Sequence, residues 1–295
     1  MYRKEKSIQM KSSASALYNN LSVLPISDKS LTYFTVVHSN TVNMVSASAD
    51  GLNFSHRQLQ SKEGSMAVSS SLITQASWCV LPSRVLLVLT SQKGIQMYES
   101  DGSIMVYWHA LDALETPPAQ AVFARGIAAA SGQYICVGTS SGLVLVFDIP
   151  AKGTNITLAE VLAEHRDPIT DIASESCEGK DGTPDLVTAD DSGVLCVWKS
   201  GEDFKLLNKI SAYGRGLFVS DPYVHLQLLS GAEDSFVQIW QLNRSAETGF
   251  IEVEHRHAEC VTDTQICGAR FCDPQGTSFA VTGYDLSEII RYVQI

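Results

Sequence analysis

Apolar residues along this chain recur in short alternating runs that are separated by polar turns. In the clearest example, LVTADDSGVLCVW from Leu186 to Trp198, a β-rich segment passes through a turn containing Asp and Gly into a second segment that ends in an aromatic residue. Alternation with a period of two places every second side chain on the same face of a strand. Two such runs joined by a short polar turn predict a β-hairpin.

The same hairpin pattern repeats along the chain. Five further copies occur at Tyr33–Val45, Val85–Glu99, Tyr134–Asp148, Leu228–Trp240 and Phe279–Tyr292. From Tyr98 to Tyr292, the aromatic residues that close successive copies are 42 to 52 residues apart. A further strand is expected before most copies, as at Ala16–Val23, and after several of them. Four short strands in about 40–50 residues are typical of a propeller blade. The pattern therefore predicts an all-β propeller with about six blades of four antiparallel strands.

Two of the copies resemble the WD-repeat family. His165 opens one of them and lies 33 residues before Trp198, the spacing of a His that begins a blade and a Trp that closes its third strand. In that family a His, a Ser or Thr, an Asp and a Trp form a hydrogen-bonded network within a blade. The resemblance implies a structural network of this kind, formed in one blade by His165, Thr188, Asp191 and Trp198, and in the next by Ser230, Asp234 and Trp240. Asp191 is displaced by one residue from the commonest spacing.

The length of the chain raises the question of how the propeller closes. The resemblance implies one more blade before the unit that ends at Trp240, and this chain is expected to lack it because the 42-residue interval there is the shortest. Residues 1–295 are still expected to form one propeller domain. The last copy ends near the end of the chain without a fourth strand, so a strand at about residues 6–10 is expected to complete the C-terminal blade. A propeller left open would instead expose a sheet edge, which favours self-association.

Charge and composition narrow the class of partner. The chain carries 21 Lys and Arg against 32 Asp and Glu, a net charge of −11. Such a surface repels nucleic acid and anionic membranes, so protein partners are expected. Apolar runs such as Val85–Leu89 are far shorter than the roughly 20 residues that a membrane span needs, and direct membrane insertion is not expected. The N-terminal sequence MYRKEKSIQM lacks the apolar core of a signal peptide.

Cysteine usage bears on both location and metal binding. The seven cysteines are odd in number and mostly lie in apolar runs, which predicts reduced thiols and a cytoplasmic location, with any membrane or vesicle association made through partners. The densest group of potential zinc ligands matches no standard zinc motif, and buried or loop positions are the expected role of its members: His255, His257, Cys260, Cys267 and Cys272.

The residues that could form a catalytic site are better explained by a structural role. His165, Asp191 and Thr188 include the residue types of a catalytic triad, but a blade network explains them better. The sequence has no nucleotide-binding loop and no nucleophile elbow, so no cofactor, no metal and no enzymatic activity are expected. The acidic segment 175–185 suits a basic partner, although a solvated hairpin connection is the simpler interpretation. The expected function is a non-enzymatic protein-interaction scaffold or adaptor that displays loops on a rigid propeller; the alternative is an enzyme with its site in the central channel.

Overall fold

The structure is a computed structural model. It describes residues 1–48, 53–63, 67–68, 71–111, 122–174, 186–211, 227–244, 251–261 and 263–295. Within these ranges the regular elements are β-strands, apart from a short 3-10 helix at Ser27–Lys29. No helix in the described ranges has the length and hydropathy that crossing a membrane would require.

The strands of the N-terminal half form two sheets, called blades 1 and 2, with short strands on either side of blade 1. Two short strands come first, β1 (Tyr2–Lys4) and β2 (Ile8–Gln9). Blade 1 consists of β3 (Ser22–Ile26), β4 (Leu31–His38), β5 (Thr41–Ser48) and β6 (Phe54–Gln60). A two-stranded ribbon follows, β7 (Lys62–Glu63) with β8 (Ala67–Val68). Blade 2 consists of β9 (Ile73–Leu81), β10 (Arg84–Ser91), β11 (Gly94–Glu99) and β12 (Met105–Ala110).

The rest of the chain forms four more sheets, blades 3 to 6. Blade 3 consists of β13 (Ala124–Ala130), β14 (Tyr134–Thr139), β15 (Val144–Asp148) and β16 (Thr157–Leu162). Blade 4 consists of β17 (Ile169–Ser174), β18 (Leu186–Asp190), β19 (Val194–Lys199) and β20 (Lys205–Ser211). Blade 5 has three described strands, β21 (Gln227–Gly231), β22 (Phe236–Arg244) and β23 (Ile251–Cys260). Blade 6 contains β24 (Ile266–Phe271), β25 (Ser278–Gly283) and β26 (Glu288–Gln294).

The chain divides into two compact units. One unit comprises Met1–Leu59 with Phe218–Ile295 and contains blades 1, 5 and 6. The other comprises Gln60–Leu217 and contains blades 2, 3 and 4. Each blade is an antiparallel sheet whose strands pair in chain order, so each hairpin predicted from the sequence is the centre of one blade.

Most blades are buried on both faces, which explains the continuous apolar runs of their central strands. In β10, the four residues from Leu86 to Leu89 are each at most 1% exposed. Four of the aromatic residues that gave the repeat its period are also buried, whereas Trp240 is half-buried. Tyr98, Phe147, Trp198 and Tyr292 are at most 3% exposed.

The N-terminal segment supplies the outer strand of blade 6. Strand β1 pairs antiparallel with β26 from Tyr2 opposite Gln294 to Lys4 opposite Tyr292, and β2 pairs with the other end of β26, with Ile8 opposite Ile289. The sequence placed this strand at residues 6–10, whereas the pairing also includes Tyr2–Lys4, nearer the N-terminus. The assignment of residues 1–295 to one domain stays a prediction.

The first inner strand begins later than the sequence suggested. The expected strand at Ala16–Val23 lies mostly ahead of β3, because side-chain hydrogen bonds hold the segment before it. The buried Asn20 amide donates to the carbonyl oxygens of Ser15 and Val37, each at 3.0 Å, and its side-chain oxygen accepts from the Val37 amide at 2.7 Å. The Asn20 side chain thus makes the hydrogen bonds that a strand backbone would otherwise make.

Candidate functional site

A buried polar network ties together the strands of blade 4. The Trp198 indole Nε1 donates to Thr188 Oγ1 at 2.9 Å, and the Thr188 hydroxyl donates to His165 Nε2 at 2.7 Å. His165 Nδ1 in turn donates to Asp190 Oδ2 at 2.7 Å. This direction follows because an ionised carboxylate only accepts hydrogen bonds, which leaves the other ring nitrogen of a neutral His as an acceptor. The network connects the segment before β17 to strands β18 and β19.

The acidic member of this network is Asp190, whereas the sequence pointed to Asp191. The other oxygen of Asp190 accepts hydrogen bonds from the Ser192 amide at 3.1 Å, the Ser192 hydroxyl at 2.7 Å and the Val194 amide at 3.0 Å. A carboxylate at the first position of a tight turn can accept hydrogen bonds from the backbone amides that follow it. The side chain at the next position faces outward. Asp191 is exposed, and its amide donates to the Pro168 carbonyl at 2.9 Å.

This network is inaccessible to a substrate. His165 is 6% exposed, Asp190 is 5% exposed and Thr188 is 0% exposed. The triad-like residues hydrogen-bond to one another, and Thr188 also accepts from the Trp198 indole, so none of their side chains is directed at solvent as a nucleophile. The arrangement therefore stabilises the blade.

Asp190 couples the stability of this blade to pH. Burial alone would raise the pKa of the Asp190 carboxyl, but hydrogen bonds from Ser192, His165 and Val194 bring that pKa below its ordinary value. A carboxyl whose pKa is lowered by folding contributes stability that is fully present above its unfolded pKa of about 3.9 and is lost as the pH falls through the folded value.

We expect wild-type protein to melt at a higher temperature than an Asp190→Asn variant at neutral pH, and we expect this difference to disappear in acid. Melting temperatures of the two proteins should differ most near pH 7, and the gap should narrow below about pH 4, where the carboxyl gains a proton. Exposed carboxylates titrate equally in both proteins and cancel in the comparison. A gap that stays constant down to the lowest pH at which both proteins fold would contradict this role of Asp190.

Blade 5 contains a shorter version of the network. Trp240 Nε1 donates to Ser230 Oγ at 2.9 Å, the same pairing as in blade 4. Asp234 is exposed and accepts a hydrogen bond from the Phe236 amide at 3.0 Å, so it holds the turn and lies apart from the Trp–Ser pair. The ring of His255 packs edge-on against Trp240 with centroids 4.9 Å apart.

The residues considered as zinc ligands are dispersed in the structure. His257 packs against the Tyr2 ring, Cys260 is exposed, and burial raises the pKa of Cys267 to about 11 and of Cys272 to about 12. A buried thiol that resists ionisation is a poor metal ligand. The described part of the chain brings together no group of three or more His, Cys, Asp or Glu side chains that could hold a metal ion. Cys177 and the acidic segment 175–185 lie outside the described residues.

A surface that the repeat pattern did not indicate joins the hairpin turns of blades 5 and 6, which belong to the same unit. Tyr18 and Tyr284 are 43% and 54% exposed. The Tyr18 hydroxyl and the Gln265 amide approach the Glu233 carboxylate at 3.5 Å and 3.3 Å. Thr264 Oγ1 donates to the Tyr284 carbonyl at 2.9 Å and fixes the second turn. We call Tyr18, Glu233 and Tyr284 the tyrosine surface.

The tyrosine surface is acidic as well as aromatic. Exposed Asp234 adjoins Glu233, exposed Asp285 follows Tyr284, and exposed Asp263 precedes Thr264. Tyrosine is enriched among the residues that dominate binding energy at protein interfaces. Its ring face attracts cations, and the neighbouring carboxylates strengthen that attraction. This chemistry suits a partner segment that carries arginine.

A cavity in the same unit is too small for a substrate. It is lined by Asn19, Leu229, Gly231 and residues 266–269, and its volume is about 10 Å³. A space of that size holds at most about one water molecule. This cavity therefore admits no substrate.

Comparison with known proteins bears on both the fold and the length of the chain. A family model described as WDR54 matches residues 1–226 and 218–295. WD repeat-containing protein 54 of Mus musculus is 55% identical over 333 residues, covering 99% of this chain and 99% of that protein. WD repeat-containing protein 54 of Homo sapiens is 54% identical over 336 residues, covering 100% of each chain. Among solved structures, the WD40 beta propeller domain of Doa1 matches with a TM-score of 0.52 at 12% identity, covering 100% of this chain and 97% of that chain.

The alignments also show a difference in length. The alignment to the mouse protein spans 333 residues against 295 in this chain, so at least 38 aligned positions have no residue here. The two matches to the family model meet at residues 218–226, which follow blade 4 and precede blade 5 along the chain. A WD-type blade contains about 40–45 residues, so the difference is close to the length of one blade.

Proposed function

The chain belongs to the WDR54 family of WD-repeat proteins, and from that premise we propose that it is a non-enzymatic interaction scaffold that binds an arginine-bearing segment of a protein partner at the tyrosine surface. The family resemblance and the fold class predicted from the sequence, an all-β WD-repeat propeller with about six blades, are both confirmed. WD-repeat propellers generally serve as scaffolds for protein interactions.

The observation that carries the proposal is the separation between buried and exposed polar groups. The triad-like residues His165, Thr188 and Asp190 are hydrogen-bonded to one another inside a blade. Tyr18, in the turn before blade 1, and Tyr284, in the hairpin turn of blade 6, are in contrast exposed. Side chains on turns whose backbone is already fixed by hydrogen bonds lose less freedom on binding than those on a disordered segment, so more of the contact energy appears as affinity.

Arginine is the favoured cation for this surface. Its planar guanidinium stacks on an aromatic ring and pairs with a carboxylate in two parallel hydrogen bonds, whereas a lysine ammonium does neither as well. Glu233 lies beside Tyr18, so one guanidinium has a ring and a carboxylate within reach. The net charge of −11 also speeds the approach of a basic segment.

We expect substitution of the two tyrosines to abolish selection of basic peptides. Full-length protein is used as bait for a displayed library of random peptides, in parallel with a Tyr18→Ser/Tyr284→Ser variant. The wild-type bait should enrich arginine-bearing sequences and the variant should not, while the melting temperatures agree within about 1 °C because both side chains are exposed.

An Ile104→Ser variant is the matched control, because Ile104 is 60% exposed and lies in the other unit. It should select the same peptides as wild type. Equal enrichment by the tyrosine variant, or enrichment of sequences without basic residues, would contradict the proposal.

The proposal includes a cytoplasmic location and leaves membrane contact to partners. It is supported by the burial of five of the six described cysteines, which is typical of reduced thiols that pack as small apolar residues. Self-association is also part of the proposal.

A further inference from the structure

Basic side chains are concentrated in the first residues of this acidic chain. Residues 1–11 carry four basic side chains and one acidic side chain, whereas the rest of the chain carries 17 basic and 31 acidic side chains. Lys4 and Lys6 are both exposed. Arg3 pairs with Glu5 at 2.9 Å, but the ion pairs of the described ranges include neither lysine. The two lysines therefore form a local positive charge on a chain whose net charge is −11.

This charge lies on the outermost strand of blade 6. Within the described ranges, β1 pairs with β26 along one side and with no strand along the other. The Glu5 amide donates to the Arg291 carbonyl at 2.8 Å, so the odd-numbered residues of this segment direct their backbone groups to β26. Because these groups alternate between the two sides of an antiparallel strand, those of Tyr2 and Lys4 point away from the sheet. We call this outward edge, together with the side chains of Lys4 and Lys6, the closing edge.

Contacts of Tyr2 hold the closing edge in an extended conformation. The Tyr2 hydroxyl donates to the Gly276 carbonyl at 2.5 Å. The Tyr2 ring meets Phe279 edge-on with centroids 5.1 Å apart, and it packs against His257 with centroids 5.3 Å apart. The backbone of β1 is therefore ordered before any partner arrives, which reduces the entropy lost when another strand pairs with it.

Charge determines which strand the closing edge accepts. Lysine at a sheet edge has a protective role, because pairing with an uncharged strand would take the ammonium group out of water without a partner. An acidic strand instead provides carboxylates for charge-assisted hydrogen bonds. Carboxylates at every second position of such a strand share one face, as the side chains of a paired strand do. The net negative charge opposes this contact only weakly, since charges more than about 8 Å away are largely screened at physiological salt.

We propose that the closing edge binds an acidic, extended segment of a protein partner, which pairs with β1 as an additional strand. Tyr2 and Lys4 each offer one outward backbone donor and one outward acceptor. In strand addition of this kind, main-chain hydrogen bonds provide affinity and side chains provide specificity, here through Lys4 and Lys6. The closing edge uses none of the residues of the tyrosine surface and takes a partner of opposite charge, so the inference goes beyond the proposed function.

Nuclear magnetic resonance titration of the isotope-labelled full chain tests the proposal. The probe is a short peptide in which valine and glutamate alternate. A contact of this length is weak, so the peptide is added to about 1 mM, which is beyond the affinity range that selection from a displayed library retains. We expect saturable shifts of the Tyr2 and Lys4 amide signals, and weaker binding when the salt concentration is raised.

Charge reversal at the two lysines measures their contribution. Lys4→Glu and Lys6→Glu should each raise the dissociation constant about tenfold, the effect of losing one charge-assisted hydrogen bond. Lys152→Glu is the matched control, because Lys152 is also exposed and lies in the other unit. It should bind the peptide as the wild type does.

Two other substitutions of Lys4 separate strand pairing from attraction between charges alone. Lys4→Gln removes the charge and keeps the outward amide, whereas Lys4→Pro removes both. Proline is tolerated on an edge strand where the amide faces solvent, so the two variants should melt within about 2 °C of each other. Lys4→Pro should nevertheless bind the peptide about fivefold more weakly than Lys4→Gln. A peptide of the same composition whose glutamates are consecutive should bind more weakly than the alternating peptide.

The outcomes that would overturn the proposal are distinct. They are the absence of saturable binding, equal affinity of Lys4→Gln and Lys4→Pro, equal affinity for the two peptides, or binding only to phosphatidylserine vesicles tested in parallel. A melting temperature of Lys4→Pro far below that of Lys4→Gln would contradict the outward direction of the Lys4 amide. The Tyr18→Ser/Tyr284→Ser variant should bind the alternating peptide as the wild type does, so the two proposals fail independently.

Discussion

Removal of residues 1–12 is expected to lower the melting temperature of the chain by about 6–20 °C. These residues include β1 and β2, which together cover the free edge of β26. Without them β26 becomes an exposed edge strand, and its backbone groups lose the partners that complete blade 6.

The size of the effect follows from what the segment buries. Ile8 is 1% exposed and Met10 is 8% exposed, and each contributes about 1.5–3 kcal/mol by leaving water. The Tyr2 hydroxyl donates to the Gly276 carbonyl at 2.5 Å, and the Tyr2 ring meets Phe279 edge-on at 5.1 Å. Ordering the segment costs entropy, so the net loss on deletion is about 3–5 kcal/mol, and each kcal/mol lowers the melting temperature by about 2–4 °C.

Differential scanning calorimetry of the truncated and full-length chains measures this loss. Tyr2→Ala should show a smaller decrease in the same direction. Arg3→Ala is its control, because the Arg3 side chain is 66% exposed and its ion pair within the described residues is with Glu5, a neighbour in the same segment. Truncated protein with an unchanged melting temperature would show that the N-terminal strands do not hold blade 6 together.

Replacement of Asp190 by Ala is expected to destabilise the chain by about 3–5 kcal/mol. The substitution removes the acceptor for His165 Nδ1, for the Ser192 amide and hydroxyl, and for the Val194 amide. A buried donor that has no acceptor has lost its hydrogen bonds to water without forming one in the protein, which lowers the free energy of unfolding.

The neighbouring carboxylate provides a matched control. Asp191→Ala removes a side chain of the same kind at an exposed position and keeps the amide that donates to Pro168. It should change the free energy of unfolding by less than about 0.5 kcal/mol. Urea titrations of both variants compare the two positions directly, and a larger effect at Asp191 would restore the assignment made from the sequence.

The repeat could be predicted from the sequence because every blade uses the same alternating pattern. The closing aromatics Tyr98, Phe147 and Tyr292 fixed the period, and all three are buried. The choice between Asp190 and Asp191 depends on which of two adjacent side chains a turn directs inward, and spacing alone does not resolve a difference of one residue. The strand before β3 was misplaced because Asn20 replaces backbone pairing with side-chain hydrogen bonds.

The tyrosine surface could not be predicted from the repeat. Tyr18 precedes blade 1, Glu233 lies in the hairpin of blade 5 and Tyr284 in that of blade 6, so long-range folding alone brings the turns together. The sequence does contain one local indication of an exposed aromatic residue, which is a Tyr at the tip of a polar hairpin, as in GYDLS.

Isothermal titration calorimetry of a selected arginine-bearing peptide tests the central claim most directly. The claim is that the buried network and the closing strands build the scaffold, and that binding occurs at the tyrosine surface. Tyr284→Ser should then weaken binding by about 30-fold, the effect of losing about 2 kcal/mol at an interface hot spot, while the melting temperature stays at the wild-type value. Unchanged affinity in that variant, with the peptide still bound in a one-to-one complex, would contradict the claim.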